Sequence, residues 1–263
     1  MGSLQGKVII VTGASTGMGR AIAVGMAAAG ATLGLVARTQ EKLDETASLA
    51  RAKGAEVLTF PGNVADNEVA KHSVRTMLER FGRIDVLVNN AGTNTFHRNL
   101  ADTSVMDWHL VIETNLTGAF LFTRHVLPPM RKAGHGQIIN ISSGAGLAPS
   151  APSGVAYTAS KHAIHALTGS INLEERSHGI KACVIAPGET ATPNLDLRPR
   201  PPAKADLAKM LTPEDIANAV IYVASQPEHV CVELVVINPT VRRNYHADFE
   251  RYVAEGHTDV APD

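Results

Sequence analysis

Neither sign of charge is in excess in this chain of 263 residues, which carries 24 Lys+Arg against 25 Asp+Glu and a formal net charge of -1. Binding to nucleic acid or to an anionic membrane favours a basic excess, so we expect neither partner. No run of about 18 apolar residues is present, which argues against a transmembrane helix. The N-terminal MGSLQGKVIIVTG lacks the charged and apolar regions of a signal peptide, so we expect a cytoplasmic protein.

Cysteine is scarce as well, and both Cys183 and Cys231 lie inside apolar, β-like runs. Such positions indicate two buried thiols that act as small hydrophobic side chains. Nothing resembles the paired Cys/His spacing of a zinc site, and the histidines are scattered without ligand spacing, so no metal is expected. Hydrophobic residues make up 44% of the chain and charged residues 19%, a composition typical of a globular protein.

Short β-branched runs alternate with longer helical patterns along most of the chain. Strands are predicted over residues 8–11, 32–37, 56–60, 84–89, 137–142, 181–185 and 233–237. Helices are predicted over residues 19–29, 40–53, 69–81, 106–130, 157–178 and 213–224. This alternation indicates parallel strands joined by right-handed crossovers, and nearly continuous apolar strands indicate helices on both faces. The prediction is an α/β, single-domain Rossmann fold, with a doubly wound parallel sheet of about seven strands.

The segment TGASTGMG at 12–19 directly follows the first predicted strand and opens the first helix. Glycines there let the backbone turn tightly and approach a pyrophosphate, and a helix N-terminus offers free N–H groups to phosphates. A tight turn without a ligand is the alternative. The segment predicts a dinucleotide site, with contacts expected from Gly13, Ser15, Thr16, Gly17, Met18 and Gly19.

Further motifs follow this segment in order. NNAG stands at 89–92, two serines close the fifth predicted strand at 142–143, YTASK stands at 157–161, and Pro-Gly stands at 187–188. Together with the G-x-x-x-G-x-G spacing, they make the chain resemble the short-chain dehydrogenase/reductase family, in its main single-domain branch, over about residues 4–240. The resemblance implies an NAD(P)-binding Rossmann domain that includes the active site over residues 1–240, and a C-terminal tail over 241–263.

The resemblance also implies further cofactor contacts. Asn63 and Val64 stand where relatives meet the adenine, although Asn replaces the usual Asp. The other expected contacts are Asn90, Ala91, Gly92, Tyr157, Lys161, Pro187, Gly188, Thr190 and Thr192. At the end of the second strand, Ala37 stands where NAD-using relatives typically carry an acidic residue, and Arg38 suits a 2′-phosphate. The expected cofactor is therefore NADP(H), with NAD(H) as the alternative.

Tyr157 and Lys161 are four residues apart, so they share one face of a helix, and a lysine ammonium there should lower the pKa of the phenol. The resemblance implies that Tyr157 is the general acid in reduction and the base in oxidation. It further implies that Ser143, preferred over Ser142, hydrogen-bonds the substrate oxygen, and that Asn115 holds a water that relays protons. The expected catalytic residues are Asn115, Ser143, Tyr157 and Lys161.

These residues predict an oxidoreductase that interconverts the alcohol and carbonyl forms of a small molecule. The segments at 226–230 and 235–240 resemble a subgroup that acts on small anionic substrates, which makes a small hydroxy acid or an aldehyde our substrate hypothesis. Candidate partners for a carboxylate or sulfonate are Arg198, Arg200, Arg242 and Arg243.

A loop as long as the Pro-rich segment over 187–202 is usually either a functional lid or disordered. Its position after the sixth predicted strand favours a lid. By analogy with the family, we expect a homotetramer or a homodimer. The alternatives are an NADP(H)-binding module without catalytic activity and an epimerase or dehydratase of the longer family branch.

Overall fold

The computed structural model describes residues 2–198 and 201–241 of the chain. Its strands are β1 (Val8–Thr12), β2 (Thr32–Ala37), β3 (Val57–Pro61), β4 (Val86–Asn89), β5 (Gly136–Ile141), β6 (Ile180–Pro187) and β7 (Leu234–Ile237). Its α-helices are α1 (Gly17–Ala28), α2 (Gln40–Arg51), α3 (Asn67–Phe81), α4 (Val105–Ile112), α5 (Gly118–Ala133), α6 (Val155–Glu175), α7 (Lys204–Leu207) and α8 (Pro213–Ala224).

The seven strands form one parallel sheet in the order β3-β2-β1-β4-β5-β6-β7. This arrangement confirms the predicted doubly wound α/β fold. From β1 the chain continues to β2 and β3 on one side of the sheet. It then crosses back to β4, which lies on the other side of β1. The carboxyl ends of β1 and β4 therefore flank the crevice where such sheets bind ligands.

Two apolar layers cover the sheet because successive strand residues point to opposite faces. Ile9 and Val11 of β1 pack with Ile22 of α1 on one face, whereas Ile10 packs with Phe122 of α5 on the other. All five side chains are completely buried. Burying a side chain of this size contributes roughly 1.5–3 kcal/mol, so the sheet is a rigid base for the residues that follow its strands.

Local capping explains where several helices begin and end. Asp66 accepts a hydrogen bond from the Glu68 amide at the start of α3, and Gly82 ends that helix with a φ of 73°. Thr212 and Asp215 form a reciprocal capping box at the start of α8. Each cap satisfies backbone groups that have no partner inside the helix.

The segment predicted to be largely helical over 106–130 is helical throughout, but its central turn is not α-helical. It is divided into α4 and α5 by a π-helical turn, Glu113–Thr117. The side chain of Asn115 explains the division: its Oδ1 accepts from the Thr93 amide at 2.7 Å, and its Nδ2 donates to the Thr93 carbonyl at 3.0 Å and to Ser160 Oγ at 3.1 Å. These tertiary bonds hold Asn115 inward, and π turns often mark functional sites.

The segment after β6 contains more local structure than the predicted loop. The 3-10 helix Pro193–Leu197 lies inside the loop predicted over 187–202, and the short α7 follows that loop. In the part of the chain that the structure describes, no helix is both long and apolar enough to cross a membrane. Of the expected tail over 241–263, residues 242–263 lie outside the described residues.

Candidate active site

A cleft of about 450 Å³ opens at the carboxyl edge of the sheet, and its walls follow β1, β2, β3 and β4. Thirteen of the predicted cofactor contacts line it: Gly13, Ser15, Thr16, Gly17, Met18, Gly19, Arg38, Asn63, Val64, Asn90, Ala91, Gly92 and Thr192. The other five do not line it: Tyr157, Lys161, Pro187, Gly188 and Thr190. The volume is within the range typical of cofactor and small-molecule sites.

The loop between β1 and α1 has room only for glycine at two positions. A Cβ on Gly19 would lie 2.0 Å from the Gly13 carbonyl oxygen, and a Cβ on Gly13 would lie 2.7 Å from the Cα of Ala91. Gly13 also has a φ of 64°, which disfavours other residues. Thr12 Oγ1 accepts from the amides of Asn90 and Ala91 at 3.1 Å, so the ends of β1 and β4 are joined directly.

The cleft fits a dinucleotide. The first turn of α1 begins at Gly17, and its amides lack partners within the helix, so they suit a phosphate group. Asn90 donates through Nδ2 to the carbonyl oxygens of Thr12 and Gly13, while its buried Oδ1 meets no donor among the described residues. A buried acceptor without a partner costs free energy unless a ligand satisfies it.

Two cations lie on the rim of the cleft beyond β2. Ala37, at the end of β2, is 5% exposed, and Arg38 and Lys42 are exposed cleft residues. Lys42 is in the first turn of α2 and was missed by the sequence analysis, although it stands close to Arg38 in the chain. Together they make this end of the cleft suited to an additional phosphate.

The four predicted catalytic residues come together beside Gly92 of the cleft. A Cβ on Gly92 would lie 3.5 Å from both Asn115 Oδ1 and Lys161 Nζ. Lys161 Nζ donates to the Ile141 carbonyl at 2.9 Å and lies 5.5 Å from the centre of the Tyr157 ring. The Tyr157 hydroxyl is hydrogen-bonded to the side chain of Ser143. The arrangement provides a hydroxyl pair and a buried ammonium next to the dinucleotide cleft.

Ser142 and Ser143 have different partners. Ser142 Oγ donates to the Lys161 carbonyl at 3.1 Å, inside the protein, whereas Ser143 accepts from the Ala145 amide at 3.2 Å and faces Tyr157. This geometry favours Ser143 over Ser142 for contact with a substrate.

The pKa of the Tyr157 phenol shifts in the direction opposite to the one expected from the sequence. Burial raises the pKa of its phenol above the ordinary 10.0, and the hydrogen bond with Ser143 and the charges of Arg198 and Arg98 oppose that rise. The lysine was expected to lower the pKa of the phenol, but burial of the phenol is the larger influence. Burial also lowers the pKa of Lys161 itself, from 10.5 to about 8, because the charged ammonium is the form that burial penalises.

A family model described as short chain dehydrogenase matches residues 7–200. The chain belongs to the short-chain dehydrogenase/reductase family. It is 36% identical over 231 residues to a 3-oxoacyl-(acyl-carrier-protein) reductase of Synechocystis sp., covering 86% of this chain and 92% of that protein. It is 34% identical over 243 residues to the glycine betaine reductase ATRR of Emericella nidulans, covering 90% of this chain and 19% of that much longer protein.

A solved structure supports the same assignment. A metagenomic short-chain oxidoreductase in complex with NADP superposes with a TM-score of 0.78 and 34% identity, covering 91% of this chain and 100% of that one. Membership of the short-chain dehydrogenase/reductase family makes this chain a member of an oxidoreductase family.

This short-chain dehydrogenase/reductase also contains polar residues near Tyr157 that the motifs did not reveal. Arg98 lies in the loop after β4 and is 7% exposed, and its charge reaches the phenol. Asn94, in the same loop, donates to the Ser153 carbonyl at 2.9 Å. Neither residue belongs to a spaced motif, so only the folded chain brings them to the site.

Of the four arginines proposed as anion ligands, the structure describes only Arg198. Arg198 pairs with the buried Glu189 at 2.5 Å, so an internal carboxylate already occupies it. Arg200, Arg242 and Arg243 lie outside the described residues. Among the residues that the structure describes, no cluster of three or more His, Cys, Asp or Glu side chains is arranged to hold a metal ion.

Proposed function

We propose that this protein is an NADP(H)-dependent oxidoreductase that interconverts an alcohol and a carbonyl on a small molecule. The observation that carries the proposal is the hydrogen bond between the Tyr157 hydroxyl and Ser143, with Lys161 next to the cleft wall at Gly92. When bound, NADP(H) supplies the hydride chemistry. The residues of the chain then have to hold the carbonyl oxygen and move a proton.

In this proposal Ser143 and Tyr157 both donate hydrogen bonds to the carbonyl oxygen of the substrate. Tyr157 releases its proton to that oxygen as negative charge grows on it during reduction, and it takes the proton back during oxidation. The Lys161 ammonium stabilises the phenolate that remains. Asn115, held by Thr93 and Ser160, positions the water through which the proton is replaced.

NADP(H) is preferred over NAD(H) in this proposal because of the charges at the end of β2. Arg38 and Lys42 provide two cations on the same rim, whereas Ala37 places no carboxylate there. A 2′-phosphate gains charge-assisted hydrogen bonds from such a pair, and a carboxylate would repel it. The solved relative bound to NADP is consistent with this preference.

The substrate class that we propose is a small hydroxy acid or an aldehyde. Support comes from the charges of Arg198 and Arg98, which act on the Tyr157 phenol and would also attract an anionic group near the reacting carbon. Because Arg198 is paired with Glu189, an anion would have to compete for it or use other donors.

The test measures binding of NADPH and NADH to the purified protein, followed by turnover on a panel of aldehydes, ketones, keto acids and sulfonated aldehydes. Replacement of the phenol in Tyr157→Phe should lower turnover roughly 10²–10⁴-fold while NADPH still binds. Tyr222→Phe is the matched control, since Tyr222 is 56% exposed on α8. Full turnover by Tyr157→Phe would contradict the proposal, and NADPH binding without turnover on any compound would favour a binding module.

A further inference from the structure

A short stretch after β6, residues 192–198, crosses the cleft and is called the strap here. Thr192 approaches the nucleotide loop: a Cβ on Gly17 would lie 3.4 Å from the Thr192 side chain. Four strap residues line the cleft: Thr192, Pro193, Asn194 and Leu197. The strap therefore forms part of the cleft wall next to the nucleotide loop.

The side chain that fastens the strap to the opposite wall is Arg98. Its Nη2 donates to the Leu197 carbonyl at 2.6 Å and to the Thr95 carbonyl at 2.5 Å. Its Nη1 donates to the Pro152 carbonyl at 3.2 Å, in the segment that leads into α6. One buried guanidinium thus joins the loop after β4, the segment before Tyr157 and the strap.

The backbone of Arg98 reinforces this junction. Its carbonyl accepts from the Val155 amide at 3.0 Å, at the first residue of α6. A Cβ on Gly154 would lie 2.4 Å from the Cβ of Arg98, so the two segments are in direct contact. Tyr157 is two residues further along the same helix, and its position depends on how this helix begins.

We propose that Arg98 is a positioning residue that fastens the strap over the cofactor cleft and fixes the start of α6, so that closure over the cofactor and placement of Tyr157 are coupled. The inference deepens the proposed function and rests on it, because it concerns the same site. A second fastener, the ion pair between Arg198 and Glu189, joins the end of the strap to the end of β6. Lysine cannot replace Arg98, since one ammonium lacks the planar fork that reaches three carbonyl groups.

The electrostatics of the site agree with this geometry. Burial raises the pKa of the Tyr157 phenol, and the charges of Arg198 and Arg98 are among the influences that oppose it. The two arginines that fasten the strap are therefore also close enough to act on the phenol.

Hydrogen exchange of the protein without ligand tests the fastener independently of turnover. In Arg98→Lys, amides over 191–198 should exchange at least roughly tenfold faster than in the wild type, while amides of β1 and β5 stay unchanged. Arg176→Lys is the matched control, because Arg176 pairs with Glu233 on the surface and touches none of the site. Unchanged exchange over the strap, or equally faster exchange across the whole sheet, would overturn the proposal.

Ligand kinetics supply the second readout. NADPH should dissociate roughly tenfold faster from Arg98→Lys, and the KM of the carbonyl substrate should rise more than kcat falls. Arg98→Gln, which keeps an amide donor but no charge, should show the same direction of change. Wild-type dissociation rates in both variants would overturn the proposal, as would failure of both to fold. If the wild type shows no turnover at all, the proposed function fails, while hydrogen exchange still decides the role of Arg98.

Discussion

At the scale of single residues, burial acts in opposite directions on the two titratable groups of the reacting site. It raises the pKa of the Tyr157 phenol and lowers the pKa of Lys161 to about 8, because in each case it penalises the charged form. Near neutral pH the phenol is therefore protonated while the lysine is still mostly charged. That combination suits a proton donor next to a group that stabilises the resulting phenolate.

The pH dependence of carbonyl reduction follows from these two groups. We expect kcat/KM to be flat below about pH 7 and to fall as pH rises through about 8, since Lys161 loses its charge there while Tyr157 keeps its proton. Measured pH profiles of the wild type and Lys161→Arg check this. The variant should lack that fall, because arginine stays charged. A wild-type profile that stays flat beyond about pH 9 would contradict the expectation.

The proposed preference for NADP(H) can be tested at position 37, beside the two cations Arg38 and Lys42. We expect Ala37→Asp to lower the preference for NADPH over NADH roughly 100-fold, because a carboxylate there repels the 2′-phosphate and accepts a hydrogen bond from a ribose hydroxyl. Titration of both cofactors checks it. Ala37→Asn is the matched control for size, since Ala37 is buried and Asn adds no charge. Equal changes in the two variants would show that bulk, and not charge, is responsible.

At the scale of elements, Asp85 joins three strands at the edge opposite the cleft. Its carboxylate accepts from the Val8 amide at 2.8 Å and from Arg83 and His135, and its backbone bonds to Val8 and Gln137. Burial alone would raise the pKa of Asp85. The hydrogen bonds from Arg83, Val8 and His135 together outweigh burial, so the pKa lies below its ordinary value of 3.8.

We expect Asp85→Ala to lower the free energy of unfolding by about 2 kcal/mol at neutral pH, because the Val8 amide loses a charged acceptor. The folded pKa is lowered, so this contribution is present above pH 3.8 and is lost as pH falls through the folded pKa. Urea unfolding at neutral and acidic pH measures the difference, with Asp85→Asn as the isosteric control. A difference between the variants and the wild type that does not shrink in acid would contradict this account.

At the scale of the whole molecule, we propose a homotetramer or homodimer, as in the family. We place one interface on α5 and α6, where Phe120 is 46% exposed and Leu173 is 86% exposed. Leu234 and Val236 of the edge strand β7 are each 46% exposed. Light scattering on the eluted protein should therefore give a dimer or tetramer mass.

Single charged substitutions should test the α5–α6 surface and the β7 edge independently of each other. We expect Phe120→Glu and Val236→Glu each to reduce a tetramer to a dimer, because a buried interface does not accept an unpaired carboxylate. Leu49→Glu is the matched control, since Leu49 is similarly exposed, at 47%, on α2. A wild-type monomer at the concentrations used for assay would contradict the proposed assembly.

Much of the fold could be predicted because its signals are local. Apolar strands separated by helical patterns imply a parallel sheet, and β2 and α8 have the predicted bounds. The π turn at Glu113–Thr117 could not be predicted, since it depends on the bonds of Asn115 to Thr93 and Ser160, which are distant in sequence.

The sequence by itself determined the order of the elements and the glycine loop, because each is recorded in patterns of a few residues. The expected catalytic residues followed from the resemblance of its motifs to a known family. Only the tertiary structure decided which serine faces Tyr157, that Lys42 joins Arg38, and that Arg98 connects the strap to α6. It also decided the direction of the pKa of Tyr157. Burial and through-space charge depend on the packing of distant segments, and no local pattern records them.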